Sequence, residues 1–423
     1  MTCFGNPTEL FDAEASAAAL TMLPGAGPAT LVDLLSSRDP REAWEEVLSG
    51  RLVRPPSRSL AQQQRLPGDG SGEADSRSTW ASVASRIDPG PWWAAAKARG
   101  VRITWIGRRE YPAALASDPQ PPGVLFWRGS LQCLSAPCVA IVGTRSATPD
   151  GRAVAFEMGR DLAAAGVSVV SGLALGIDGA AHHGALEALG GAGQPGGGAG
   201  QPGGGAGQPG GGAGRPGGRG AGAGAPGRPI GVAASGVDVA YPKRHADLFE
   251  QVAGAGAIIS ETPPGCPAQA WRFPARNRVI AALSRIVVVV ESHDRGGSLI
   301  TAEAAIDRGI EVRVVPGPVS SPSSRGSNQL LYDGAGPVRH AGDVLDALGM
   351  LLPAPDRASS SRHKPLDSTS EAVLRAVGWR PTTANRVVER CDLDVARVAL
   401  ILEQLAAQGL VSESQGWWNR SHY

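Results

Sequence analysis

The chain has 423 residues, 42% of them hydrophobic, so it is long enough for two or three domains with a sizeable buried core. Its 40 basic and 39 acidic residues give a net charge of +1, so binding of a polyanion requires a local basic patch rather than overall charge. Five cysteines without a CxxC pair, an acidic amino terminus and no apolar run near ~20 residues predict a cytoplasmic protein and argue against disulfides, export and membrane insertion.

The first part of the chain is predicted to be helical. Residues 1–51 place a Leu-Pro-Gly-Ala-Gly turn between two helical patterns. This turn is either the phosphate-contacting turn of a helix-hairpin-helix unit or an ordinary helical turn with a glycine cap, and the second interpretation is favoured. Residues 52–91 are rich in Pro, Ser, Gly, Gln and Arg, which predicts a linker with at most one short helix.

Residues 92–348 form the predicted core, because strand and helix patterns alternate throughout them. The strands are expected at VAIV, VSVV, PIGVAA, GAIIS, RIVVVV and EVRVV, and the helices are expected to begin near Pro149, Asp178, His245, Arg276 and Ser298. Short, continuous apolar runs suit strands that are covered on both faces. The predicted fold class is therefore α/β, a Rossmann-like, doubly wound, mainly parallel sheet.

Three further segments complete the predicted domain organisation. Residues 190–228 repeat GAGQPGG, which predicts a disordered insertion that is either a weak basic tether or, as we favour, a tolerated surface expansion. After a second predicted linker, 349–368, residues 369–423 show three helices and a hairpin, the order of a winged-helix domain. Six arginines balance six acidic residues there, so this domain is expected to contact protein rather than to read duplex DNA as a transcription regulator.

Two turns at the carboxyl ends of adjacent strands carry the first candidate binding residues. The GTRS turn lacks the spaced glycines of a dinucleotide site, and the next strand does not end in an acidic residue, so no cofactor is expected. Arg145 is expected to clamp a phosphate, the alternative being a salt bridge that holds the turn. The candidates in these turns are Gly143, Thr144, Arg145, Ser146, Ser171 and Gly172.

Three later motifs add cations, an aromatic ring and a glycine-rich helix start at the same sheet edge. They are YPKRH, FPARNR and GGSLITAEAA, and their candidates are Lys243, Phe273, Arg276, Asn277, Arg278, Gly297 and Ser298. An aromatic ring beside phosphate ligands suits a single-stranded nucleic acid. The alternatives are a solvated turn for Lys243, and a hydrophobic staple for Phe273 with Arg278 pointing to water.

An enzyme remains the alternative function. The GGSLITAEAA helix loosely resembles the helix start of nucleotide phosphoribohydrolases, in which case Glu303 would be catalytic in a nucleotide-processing reaction. His182 and His183 are adjacent and point in different directions on a helix, so no metal site is expected and one of them should lie in the core. Asp178 is expected to cap a helix rather than to act in catalysis.

The five motifs VAIVGTRSATPDG, VVSGLALGIDGAAH, GVDVAYPKRH, FPARNRVIAALS and ESHDRGGSLITAEAA, in this order, resemble the DNA-processing protein A family (DprA, also called Smf) of bacterial natural transformation. The resemblance covers residues 92–348 and extends more weakly to a sterile-alpha-motif-like amino-terminal domain and a carboxy-terminal winged helix. It implies a non-catalytic homodimer that binds and protects single-stranded DNA and helps to load the RecA recombinase. It places the DNA contacts on Arg145, Lys243, Phe273, Arg276 and Asn277.

The sequence departs from the family pattern at three places. Leu175 stands where arginine is common, which removes one potential phosphate ligand. Gly296 stands where serine is usual before GSLITA. The repeat insertion separates two strands that a short loop normally joins, and we expect the sheet to remain intact across it.

Overall fold

A computed structural model describes the chain in eight segments. They are residues 7–52, 79–191, 225–350, 366–377, 382–391, 393–408, 410–414 and 416–420. The chain divides into two compact units, Met1–Leu351 and Leu352–Tyr423. The division falls inside the predicted linker 349–368, and most of the predicted insertion 190–228 lies outside the described residues.

The first unit begins with a body of five helices. They are α1 (Pro7–Leu20), α2 (Pro28–Leu35), α3 (Pro40–Leu48), α4 (Thr79–Ala84) and α5 (Pro89–Ala98). Helix α4 and the start of α5 fall within the predicted linker 52–91 and pack on the earlier helices, because Trp80 is fully buried and its indole nitrogen donates to the Pro24 carbonyl at 2.8 Å. Trp93 in α5 packs on Phe126, with ring centroids 6.4 Å apart, and so joins the body to the sheet.

A nine-stranded sheet forms the centre of the first unit. Its strands are β1 (Arg102–Trp105), β2 (Val124–Gly129), β3 (Cys138–Val142), β4 (Ser168–Ser171), β5 (Pro229–Val232), β6 (Ala257–Ser260), β7 (Ile286–Val289), β8 (Glu311–Val314) and β9 (Gly336–Pro337). The order is β1-β2-β6-β5-β4-β3-β7-β8-β9; β1 and β2 pair antiparallel, as do β2 and β6, and the other pairs are parallel. All six strands predicted for the core are present, and β4 pairs with β5 across the insertion.

Helices cover both faces of the sheet. They are α6 (Ala113–Ala116), α7 (Pro149–Ala164), α8 (Ile177–Gly191), α9 (Ala246–Ala255), α10 (Arg272–Ala282), α11 (Gly297–Ile306), α12 (Arg325–Tyr332) and α13 (Ala341–Ala347), with short 3₁₀ helices at Leu131–Ser135, Lys243–His245 and Pro322–Ser324. Alternate residues of β3 pack into the hydrophobic layers on opposite faces of the sheet. Val139 and Ile141 lie in one layer, and Ala140 and Val142 lie in the other. The predicted α/β class is confirmed.

One predicted helix start was wrong. Helix α10 begins at Arg272, four residues before Arg276, so Phe273 lies in its first turn and Arg276 in its second. A helix start near Arg276 would leave Pro274 outside the helix. Proline is tolerated in the first turn, however, where its missing N–H would have no intrahelical acceptor. The helix therefore carries Phe273 and Arg276 on a rigid element rather than in a loop.

The chain order creates a crevice at the carboxyl edge of the parallel strands. From β3 the chain passes through β4 and β5 to β6, and then returns to β7 on the other side of β3. The loops that follow β3 and β7 therefore diverge, and such a switch point is where open α/β sheets bind ligands. No helix among the described residues is long and apolar enough to span a membrane.

The described residues of the second unit form three helices and a small sheet. These are α14 (Ser368–Val377), α15 (Ala384–Cys391) and α16 (Val395–Ala407), with strands β10 (Thr382–Thr383), β11 (Val411–Ser414) and β12 (Trp417–Arg420) in the order β10-β12-β11. Val373, Val387, Val398 and Leu402 are fully buried between them. The predicted winged-helix order is confirmed.

Candidate nucleic-acid interface

Two adjoining depressions at the crevice form one groove. The first, of about 350 Å³, lies between the turn after β3 and the starts of α10 and α11. The second, of about 80 Å³, lies over the ends of β4 and β5. Arg145, Ala174, Phe273 and Arg276 line both depressions, so the groove is continuous at these side chains.

Phe273 lies at the centre of the groove within a cluster of rings and cations. The Arg145 guanidinium carbon lies 5.0 Å from the centroid of the Phe273 ring, and that of Arg276 lies 6.0 Å away. The Tyr241 ring centroid is 5.3 Å away at an interplanar angle of 48°. Arg145 and Tyr241 are exposed and Phe273 is half-buried. The cluster offers aromatic faces for stacking and a cation for a phosphate.

Two cations beside this cluster are available to a ligand. Arg145 follows β3, and Lys243 lies on the 3₁₀ helix two residues after Tyr241; both side chains are exposed. Neither forms an ion pair with another described residue. The salt-bridge alternative for Arg145 therefore has no partner within the described part of the chain.

Arg276 lies beneath the groove, with only 8% of its surface exposed. Its Nη1 donates to the carbonyl oxygens of Gly172, at 2.7 Å, and of Val232, and its Nε donates to Asn277 Oδ1 at 3.2 Å. Burial lowers the pKa of Arg276 to about 10, and the nearby Asp178 carboxylate opposes this shift. Arg276 therefore joins the ends of β4 and β5 and places a buried positive charge under the groove.

Several backbone amides in and beside the first two turns already have acceptors within the protein. The Thr144 N–H donates to the Glu291 carbonyl at 2.8 Å, and the Glu291 carboxylate accepts from the N–H and hydroxyl of Thr148, at 2.9 and 2.6 Å, at the start of α7. Asp178 Oδ2 accepts from the N–H groups of Gly172 and Ala174, at 3.1 and 3.3 Å. A nucleotide phosphate would have to displace these acceptors.

Asp178 is thus the second residue of α8 and holds the preceding loop, rather than capping its own helix as expected. Burial raises the pKa of its carboxyl, and Arg276 opposes that shift. In the same loop Leu173 has φ +60°, a conformation that costs a non-glycine residue about 1–2 kcal/mol. Its carbonyl accepts from His245 Nδ1 at 3.0 Å, which helps to hold the strained turn.

At the start of α11, the first amides have no acceptor among the described residues. These are the N–H groups of Gly297 and Ser298. Asn277 Nδ2 donates to the Gly297 carbonyl at 3.0 Å, and the Ser298 hydroxyl donates to Ser292 Oγ at 2.8 Å. Gly297 is exposed and lines the groove, so this helix start can receive a phosphate oxygen.

Predicted site residues that do not line the groove include Ser146, Ser171 and Arg278. Ser171 is fully buried and its hydroxyl donates to the Ile141 carbonyl at 2.6 Å. Ser146 is exposed, and its N–H donates to Thr144 Oγ1 at 3.2 Å. Arg278 leaves the groove and binds the Glu261 carboxylate and the Gln120 carbonyl, so it neither points to water nor reaches the groove.

The residues of the alternative enzyme are not assembled either. Glu303 is exposed and lines a separate depression with Asp294 and Arg325, away from the groove. His182 is fully buried and His183 is exposed, which confirms the expected division between core and surface. No group of three or more potential metal ligands occurs in the described part of the chain.

Sequence reasoning missed Tyr241 and Glu291 as functional residues. Tyr241 directly precedes the cations of YPKRH, and this adjacency was the available signal. Glu291 lies two residues after the end of β7, whereas the acidic residue of a dinucleotide site is expected at the end of β4. Its contact with α7 crosses 143 positions of sequence, and no local pattern indicates it.

The chain matches the family model of DNA recombination-mediator protein A over residues 102–193 and 221–349, and that of the DprA winged helix domain over 354–416. The chain belongs to the DNA recombination-mediator protein A family. It is 33% identical over 256 residues to DNA processing protein DprA of Bacillus subtilis, which covers 60% of this chain and 74% of that protein. It is 32% identical over 320 residues to protein Smf of Escherichia coli, with coverage of 73% and 75%. The structure of DprA from Streptococcus pneumoniae matches with a TM-score of 0.51 at 30% identity, and the match covers 64% of this chain and 81% of that one.

Two departures from the DprA pattern lie within the groove. Leu175 lines the second depression with Arg145 and Tyr241, so an apolar side chain forms part of the groove wall there. A Cβ atom at Gly296 would lie 2.3 Å from Ser292 Oγ, which accepts from the Ser298 hydroxyl. A serine at 296 would therefore require the Ser292 hydroxyl to move.

Proposed function

We propose that this chain binds single-stranded DNA in the groove at the carboxyl edge of its sheet. The observation that carries the proposal is the half-buried Phe273 ring, which has the Arg145 guanidinium 5.0 Å from its centroid and the Tyr241 ring centroid 5.3 Å away. An unstacked base can reach such a ring, whereas the bases of a duplex are held in their own stack.

Phosphates of the strand bind the groups along the groove that are free to receive them. Arg145 and Lys243 supply cations, and the start of α11 supplies the amides of Gly297 and Ser298. Arg276 and Asn277 act as positioning residues, because their side chains are engaged with backbone carbonyls. Most of the affinity is electrostatic and independent of base sequence, since counterions are released at each phosphate contact.

The biological role that we propose follows family membership. The chain protects incoming single strands during transformation and recombination, helps to load RecA onto them, and acts as a homodimer without catalysis. The free thiols of Cys133, Cys138, Cys266 and Cys391 are consistent with a cytoplasmic location. The exposed position of Glu303 outside the groove gives the nucleotide-processing alternative no support.

Titration of a labelled oligo-dT over a salt series tests the site. Phe273→Ala should weaken binding about 5- to 150-fold, the range of one base stack. Arg145→Ala and Lys243→Ala should each lower the slope of log affinity against log salt by about 0.7. Unchanged affinity in all three variants would overturn the assignment.

A matched control lies on the same sheet. Arg285 is an exposed arginine directly before β7, at the opposite edge from the groove, and Arg285→Ala should leave both affinity and salt slope unchanged. Unlabelled single-stranded DNA should displace the oligonucleotide at concentrations at which duplex DNA does not. Stronger displacement by duplex would contradict the proposal, as would release of free base from nucleoside monophosphates.

A further inference from the structure

Trp271 is a large exposed ring beside the groove, with 65% of its surface accessible. Its indole nitrogen donates to Gln269 Oε1 at 2.8 Å. The Arg272 guanidinium carbon lies 5.1 Å from the ring centroid, and Arg272 Nη1 donates to the Pro267 carbonyl at 2.9 Å. The ring and its cation are therefore held in place before any ligand arrives. This pair repeats, two residues earlier, the arrangement of Arg145 on Phe273.

Trp271 and Phe273 face different parts of the sheet edge. Trp271 is the residue before α10 and already has helical dihedral angles. Side chains two positions apart on a helix differ by about 200° in direction. Accordingly, Phe273 lines the two depressions of the groove, whereas Trp271 lines a third depression of about 160 Å³.

The third depression continues the groove. It shares Ala233, Ala234 and Arg276 with the second depression, so the small side chains after β5 form a common floor above the buried guanidinium. Its far wall is the start of α2, including Gly27 from the Leu-Pro-Gly-Ala-Gly turn. A DNA single strand that passes from Phe273 across this floor therefore reaches Trp271.

We propose that Trp271 is a second stacking site for a base of the same single strand, with Arg272 beside it for the adjoining phosphate. This inference rests on the proposed function, because the occupant is the strand already bound at Phe273. The proposed path of the DNA strand then runs from the start of α11, past Phe273 and over Ala233 and Ala234, to the body of helices α1 to α5. It enlarges the binding site by at least one nucleotide.

Binding of oligo-dT of increasing length to Trp271→Ala, Phe273→Ala and wild type tests the site. Phe273→Ala should weaken binding at every length. Trp271→Ala should match wild type for the shortest oligonucleotides that bind and should lose about 5- to 150-fold for longer ones, the range of one base–aromatic stack. Trp271→Phe should retain its affinity for long oligonucleotides, because its ring still stacks. Oligo-dT should, however, quench less tryptophan fluorescence in this variant than in wild type, because residue 271 no longer contributes.

The outcomes separate this inference from the proposed function. Wild-type affinity of Trp271→Ala at every length, with weakened binding by Phe273→Ala, would overturn the second site and leave the first intact. Identical quenching in Trp271→Phe and wild type would also overturn it. If wild type bound no single strand at all, both proposals would fail. Because most of Trp271 is exposed, both Trp271 variants should unfold at the same urea concentration as wild type. Misfolding is then excluded as the cause of any loss of affinity.

Discussion

Replacing Arg276 by methionine tests whether this buried side chain shapes the groove. Methionine fills the space of the side-chain methylenes, but it removes the hydrogen bonds to the Gly172 and Val232 carbonyls and takes a cation away from Asp178. Removing one partner of a buried charged pair costs about 3–5 kcal/mol, because the remaining polar groups stay buried. We expect R276M to lower the free energy of unfolding of the first unit by this amount.

The loss should be smaller at pH 5 than at pH 7. Burial raises the pKa of Asp178 and Arg276 opposes the rise, so the pKa of Asp178 rises further in R276M. A carboxyl whose pKa is higher in the folded state favours folding fully below its unfolded value of about 3.9, and this contribution is lost as the pH rises through the folded value. Acidification therefore protonates Asp178 in the variant and recovers part of the stability.

Urea unfolding at both pH values, with oligo-dT binding measured in parallel, provides the assay. Arg285→Met at the opposite sheet edge is the matched control and should change neither quantity. The double variant D178N/R276M should be more stable than R276M, because no charge is then left buried. A stability loss below about 1 kcal/mol, accompanied by weakened DNA binding, would refute the reasoning and make Arg276 a direct DNA contact.

Three further predictions each concern a single feature. Leu175→Arg should tighten oligo-dT binding and steepen the salt slope by about 0.7, whereas Leu175→Gln should not; equal slopes would place residue 175 outside the strand path. Burial lowers the pKa of His182 to about 3. The free energy of unfolding should therefore fall by about 1.4 kcal/mol for each pH unit of acidification below about pH 6.5, where the unfolded chain binds the proton and the folded chain does not. This dependence should disappear in His182→Leu but persist in His183→Gln, as urea midpoints against pH will show. Glu291→Gln should cost about 1–2 kcal/mol in urea unfolding, because its bonds to Thr148 at the start of α7 lose a full charge, and an unchanged midpoint would contradict that role.

The sheet was predictable from the sequence because its strands are short, apolar and buried on both faces. The run from Ile286 to Val289 has no polar residue, and a run of this length, rich in β-branched residues, suits a strand that is covered on both faces. The start of α7 was equally clear, since Thr148 caps it and Pro149 opens it. These signals are local, and each lies within a few residues of the element that it specifies.

The chemistry of the groove was less predictable, because its decisive contacts join residues far apart in sequence. Arg276 and Arg278 are both cations in one motif, yet one lies under the groove and the other pairs with Glu261. Their directions follow from the position of α10 on the sheet, which the motif does not encode. Trp271 precedes the same motif, and its exposure depends on how the helical body meets the sheet.

The acids at two turns bear on the proposal that the groove binds a polymer. Glu291 accepts from the Thr148 amide and Asp178 from the Gly172 amide, so these amides are not open to a nucleotide phosphate. The groups left to a ligand, Arg145, Lys243 and the start of α11, are spread along the groove instead. The proposed DNA single strand carries regularly spaced phosphates, which would contact these groups together and release counterions at each contact. In a chain whose net charge is only +1, the proposed affinity for a polyanion therefore rests on the placement of a few charges.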